Sequence, residues 1–135
     1  MAASKMVVDT SIFIDHLRSK NKFNSILSNI PDEHEIFVSS VTIYELLMGA
    51  TSPEKWKDVE TLTRGLPVLA FTENVAIRAS KIFHELKKEN KMIEFRDIFI
   101  AATTLSYNLP VLTLNTKDFT RIKGVQLIDP ISMNF

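Results

Sequence analysis

The chain contains no cysteine. That absence removes disulfides, zinc–thiolate centres and thiol nucleophiles together, and it fits a reducing cytoplasm. Glycine is nearly as scarce. Gly49, Gly65 and Gly124 are the only three in 135 residues, too scattered for a loop that cradles phosphate, and no Gly-x-Ser-x-Gly turn is present. The three histidines, His16, His34 and His84, show no metal-ligand spacing and read as surface or helix residues. No apolar run approaches the ~20 residues needed to span a bilayer, and the start of the chain lacks the apolar core of a signal peptide. A soluble, cytoplasmic protein with no membrane association is expected, with residues 1–5 as a disordered N-terminal extension.

Charge of either sign is not in excess, because 16 basic and 16 acidic residues cancel. The overall balance therefore gives no support to a nucleic-acid partner. Local basic runs exist, at Arg18-Lys20-Lys22, Lys55-Lys57, Lys87-Lys88-Lys91 and Lys117-Arg121-Lys123. Most such runs are solvated helix faces. The last flanks Asp118, so Lys117, Arg121 and Lys123 are the candidates for contact with a phosphate backbone.

What is present is an alternation of short apolar runs with helix-period segments, the pattern of a parallel sheet covered by helices. Strands are expected at Met6–Val8, Ile36–Val38, Val68–Ala70, Val111–Leu114 and, more weakly, Val125–Ile128. Helices are expected from Glu73 to Glu89, with Val75, Ala79, Ile82, Phe83 and Leu86 on one face, and from Asp97 to Tyr107. Val41, Tyr44, Glu45 and Met48 share a face of a third helix that ends near Gly49, with Ser40 or Thr42 as its cap. Pro53 starts a further helix through Trp56, Val59 and Leu62. The length suits one domain over residues 1–135.

Polar residues follow each strand: Asp9-Thr10-Ser11, Ser39-Ser40, Thr72 and Asn115-Thr116. In an open parallel sheet these lie at the carboxyl edge, where such folds place their ligands. Asp9, Glu45, Asp97 and Asp118 would all converge there. Each has an ordinary explanation when taken singly. Asp9 could cap a helix, Asp97 suits a first helical turn, and Asn115 with Asp118 resembles a capping box. Glu45, with apolar helical neighbours, is expected near the buried face.

Taken together they are harder to explain. Two carboxylates 4 Å apart repel by about 4 kcal/mol at an effective dielectric near 20. Several must protonate, find basic partners such as the adjoining Arg96 and Lys117, or bind a cation. Oxygen-only ligands select hard ions, Mg²⁺ or Mn²⁺. Such an ion suits hydrolysis of a phosphodiester.

The order of segments resembles the PIN-domain nucleases, and most closely the VapC-type toxins of bacterial toxin–antitoxin pairs. The marks are Val8-Asp9-Thr10-Ser11 with Ile14-Asp15, Ser39-Ser40-Val41-Thr42-Ile43-Tyr44-Glu45-Leu46 with Gly49, Asp97-Ile98-Phe99-Ile100-Ala101-Ala102-Thr103, and Leu112-Thr113-Leu114-Asn115-Thr116-Lys117-Asp118-Phe119. The resemblance implies an α/β fold, a three-layer α/β/α sandwich with a parallel sheet of five strands, and Mg²⁺- or Mn²⁺-dependent endoribonuclease activity. Asp9 and Asp97 would be the principal metal ligands, with Glu45 acting on the metal or its water. Asp118 would be the fourth catalytic carboxylate. Thr10, Ser11, Thr113 and Asn115 would support them. It also implies an RNA substrate, a homodimer and a cognate antitoxin, for which Phe13, Leu17, Phe23, Ile26, Leu27, Trp56 and Leu62 are candidate contacts.

A housekeeping RNA-processing nuclease of the same fold is the alternative within the enzyme class. A receiver-like acidic switch is disfavoured, because it needs a second acid at position 10, which is Thr, and a late Lys. A non-catalytic scaffold would have no reason to keep all four carboxylates.

Overall fold

A computed structural model describes residues 4–135. The part of the expected N-terminal extension at residues 1–3 lies outside the described residues. Ser4 and Lys5, placed in that extension from sequence, instead begin the first strand, because both pair with the second.

The elements run β1 (Ser4–Val8), α1 (Thr10–Arg18), two single turns of 3₁₀ helix, β2 (His34–Ser39), α2 (Ser40–Met48) and α3 (Pro53–Thr63). They continue with β3 (Val68–Leu69), α4 (Glu73–Lys88), α5 (Phe95–Ser106), β4 (Val111–Leu112), α6 (Thr116–Phe119) and β5 (Leu127–Ile128). All strand pairings are parallel, in the order β3-β2-β1-β4-β5. The five-stranded α/β architecture is therefore as expected.

Central β1 explains its own composition. Met6, Val7 and Val8 are buried on both faces of the sheet, so the run is continuously apolar rather than alternating. One core joins Met6, Val8, Val38 and Leu112 to Ile12 and Phe13 of α1, Leu46 of α2 and Val59 of α3. The other joins Val111 to Val75, Ala79, Ile82 and Leu86 of α4 and to Ile98, Ala101 and Ala102 of α5.

Strands β1, β2 and β3 each feed a helix through a side-chain cap. Asp9 accepts from the Ser11 amide, Ser39 from Thr42 and Thr72 from Val75, and Ser52 with Pro53 behind it starts α3. Such caps contribute about 1 kcal/mol each. The cap of α2 is Ser39, not Ser40 or Thr42. Ser39 keeps extended dihedrals while Ser40 is already helical, and Thr42 turns its hydroxyl inward to other partners. Asn108, with φ of 55°, ends α5 ahead of Pro110.

Three further expectations fail. The face of α2 carrying Tyr44 and Met48 is exposed, and Thr42 and Leu46 form the buried one. Phe83 points outward on α4. Phe13, proposed as a contact surface, is fully buried, whereas Phe23 and Trp56 are exposed. Apolar character alone cannot choose a face when several faces of a helix are apolar.

Candidate metal centre

The strand order reverses direction between β1 and β4, and ligands of open parallel sheets bind in the crevice at such a reversal. Asp9 leaves the end of β1 at that point, with its amide donating to Leu112 of β4 at 2.9 Å. Its side chain is only 2% exposed. Oδ2 is fully engaged: it accepts from Ser11 Oγ at 2.7 Å, Thr113 Oγ1 at 2.8 Å and the Ser11 amide at 3.3 Å. Oδ1 is buried without a hydrogen-bond partner among the described residues. Burial pushes the Asp9 carboxyl above its usual range, and the hydrogen bonds from Ser11 and Thr113 oppose that shift.

Glu45, on α2, is held by Thr10, whose hydroxyl donates to Oε1 at 2.9 Å. The Thr10 and Thr42 hydroxyls lie 2.8 Å apart, and Ser39 donates to Thr42 at 3.2 Å, so a hydroxyl chain leads from the α2 cap to the carboxylate. Burial raises the Glu45 carboxyl. Thr10 and Arg96 pull it back, while Asp9 and Glu94 reinforce the rise.

Asp97 lies in the first turn of α5, where Asn115 Nδ2 donates to its Oδ2 at 3.0 Å. Its carboxyl is pushed up to about 7, first by burial and then by repulsion from Asp9, Asp118 and Glu45. The Asp97 carboxylate thus feels the charge of the other three acids. Asn115 does not cap α6 with its side chain; it spends that side chain on Asp97.

Residues 6–125 match the family model described as "PIN domain". The chain belongs to the PIN-domain family. "Ribonuclease VapC" of Rickettsia bellii is 33% identical over 133 residues, covering 91% of this chain and 94% of its own. "tRNA(fMet)-specific endonuclease VapC" of Salmonella typhimurium is 30% identical, covering 93% of this chain and 97% of its own. The solved structure of VapBC-1 from nontypeable Haemophilus influenzae superposes with a TM-score of 0.79 at 29% identity, covering 94% of this chain and 98% of that one.

The PIN domain's donors suit a hard divalent ion. The set is all oxygen, and Asp9 Oδ1 is a buried acceptor that nothing in the described protein satisfies. Among the described residues no three acidic or histidine side chains already enclose a common point. Mg²⁺ keeps several of its waters and takes one or two carboxylates directly.

Ser11 and Thr113 fix Asp9, Thr10 fixes Glu45, and Asn115 fixes Asp97. Thr113 also accepts from the Asn115 amide at 2.8 Å, and Ser11 Oγ accepts from the Leu114 amide at 3.0 Å. These bonds tie the β4–α6 loop to α1. Asp15 stays outside the site, accepting from the Ile26 amide at 3.0 Å.

Two of the basic residues near the C-terminal end of the PIN domain have protein partners. Arg121 reaches back to the carbonyls of Met92 and Lys91, at 3.1 and 3.4 Å, and Lys123 pairs with Glu89. Lys117 is exposed and makes no ion pair among the described residues. Arg96 is the cation at the site. It faces Glu45 Oε2 at 3.8 Å and Glu94 at 3.4 Å rather than its neighbour Asp97. Successive helical side chains diverge by about 100°, so adjacency in sequence is a poor guide to pairing. Thr42 was also missed as a site residue. Its spacing of three from Glu45 on one helix was the available signal.

Proposed function

We propose that this chain is a metal-dependent endoribonuclease of the toxin type, acting in the cytoplasm as a single domain over residues 1–135. The observation that carries this reading is the unsatisfied, buried Asp9 Oδ1, together with an Asp97 carboxyl raised by burial and then by three neighbouring acids. The names of the relatives support RNA as substrate, and VapBC assemblies among solved structures support a cognate antitoxin as partner. A homodimer is the expected state of the free toxin. Among the described residues no helix is long and apolar enough to cross a membrane.

Asp9 and Asp97, with Glu45, would hold Mg²⁺ or Mn²⁺, directly or through water. When bound, the ion supplies Lewis acidity and a counter-charge for the phosphate. Ser11 and Thr113 hold Asp9 in one orientation throughout. Glu45 Oε1 is pinned by Thr10, and Oε2, which faces Arg96 at 3.8 Å, would take a proton from the attacking water. Its raised affinity for protons makes it a better acceptor there. Asp118 adds negative charge that retains the ion, and Lys117 guides the RNA backbone.

The test is cleavage of cellular RNA by purified protein with Mg²⁺, with Mn²⁺ and with EDTA, alongside Asp97→Asn. Activity should require either ion. In Asp97→Asn it should fall by more than the ~10–100-fold that loss of an outer partner costs. Cutting by Asp97→Asn at the wild-type rate would defeat the assignment.

A further inference from the structure

Beside the carboxylates, on the β3 side, lies an open recess of about 270 Å³ whose walls are chiefly aromatic: Tyr44, Phe71, Phe95 and Phe99, with Arg96 at the rim and Ser40 nearby. Tyr44 is 60% exposed and Phe95 56%. Phe99 holds Phe71 and Phe95 edge-on, with ring centroids at 5.0 and 5.5 Å. The Arg96 guanidinium stands 5.6 Å over the Phe95 ring and faces Glu45 of the site. Arg96 both lines the recess and faces Glu45 Oε2 at 3.8 Å, so it joins the recess to the carboxylate site.

Rings on a water-facing surface with an arginine among them are the chemistry that binds unpaired bases, which stack on aromatic faces and guanidinium planes. The volume is just below the ~300 Å³ at which sites for whole small molecules begin, so it suits one planar base. Arg96 is only loosely held. Its contacts of 3.8 and 3.4 Å exceed the ~2.7–2.9 Å of a strong charge-assisted bond. Exchange of a carboxylate for an RNA phosphate is therefore inexpensive.

We propose that this recess is a subsite for one unpaired nucleotide flanking the scissile phosphate, with Tyr44 and Phe95 stacking its base and Arg96 binding its phosphate. It rests on the nuclease reading and adds to it a contact for the base beside the cut.

The experiment uses the full chain with Mg²⁺ and a single-stranded oligoribonucleotide that the wild type cuts, plus a series of the same oligomer with one abasic nucleotide moved along it. Tyr44→Leu and Phe95→Leu keep apolar bulk but lose the ring, and Tyr44→Phe keeps the ring. Both Leu variants should raise KM about tenfold, within the range for loss of one stacked base, and Tyr44→Phe should restore it. In the wild type one abasic position should raise KM to a similar degree, and that penalty should vanish in Tyr44→Leu. Arg96→Gln should flatten the log–log salt dependence by about 0.7, the value for one single-strand phosphate.

Unchanged KM and an unchanged abasic profile in the Leu variants overturn the proposal while leaving the nuclease intact. A change in particle mass by sedimentation, without a base-position effect, assigns the recess to contact between copies and overturns it equally. A wild-type chain that cuts no RNA removes both readings.

Discussion

Asn115 donates its side-chain amide to Asp97 Oδ2 at 3.0 Å, which links the β4–α6 loop to the first turn of α5. The bond favours the charged form of a carboxyl that burial and three neighbouring acids push up to about 7. Asn115→Ala should therefore raise the Asp97 pKa further and weaken Mg²⁺ binding near neutral pH. Calorimetric Mg²⁺ titration between pH 6 and 8 checks this, with the loss expected to shrink as pH rises.

The raised Asp97 carboxyl also sets how stability responds to pH without metal. The group takes up its proton at about 7 when folded, against 3.8 ordinarily. Between those values the folded state holds more protons than the unfolded one, so stability falls as pH rises through the window. Asp9 and Glu45 shift in the same direction. In EDTA, Tm should drop from pH 5 to pH 8, and saturating Mg²⁺ should remove most of the drop. Asp97→Asn should raise Tm at pH 8 in EDTA while abolishing the response to Mg²⁺.

Thr113→Val removes a buried donor to Asp9 Oδ2 and the acceptor for the Asn115 amide, with little change in shape. Loss of such an outer partner typically costs about 10–100-fold in metal affinity. The variant should need correspondingly more Mg²⁺ for half-maximal cleavage yet keep its circular dichroism spectrum.

Arg121 and Lys117 should separate in their effects. Arg121 caps two carbonyls of the loop before α5, so Arg121→Ala should lower stability by about 1 kcal/mol in urea unfolding. Lys117→Ala should leave stability alone, weaken RNA binding and reduce its salt slope by about 0.7.

The sheet and the four acids were legible because they follow from local rules. Met6–Val8 is apolar without alternation, as a doubly covered strand must be, and polar residues cluster after each strand. Thr10, Ser11, Thr113 and Asn115 were legible through the family likeness. What the sequence did not disclose depends on direction. The pairing of Arg96 with Glu45 across two helices, and the return of Arg121 to α4–α5 carbonyls, are set by where helices cross. Likewise α2 offers apolar residues on more than one side, and only the positions of α1 and β2 decide that Thr42 and Leu46 turn inward. Tyr44 was thereby mistaken for core.

Strands β4 and β5 contribute two residues each. The wall bearing Thr113, Asn115 and Asp118 therefore hangs on few rungs of the ladder, and the Ser11–Asp9–Thr113 hydroxyl clasp serves as a seam between the two halves of the sheet. Local fraying and loss of the prepared carboxylate are consequently one event. Whatever tightens that seam, an ion above all, will slow amide exchange first in the segment from Val111 to Phe119.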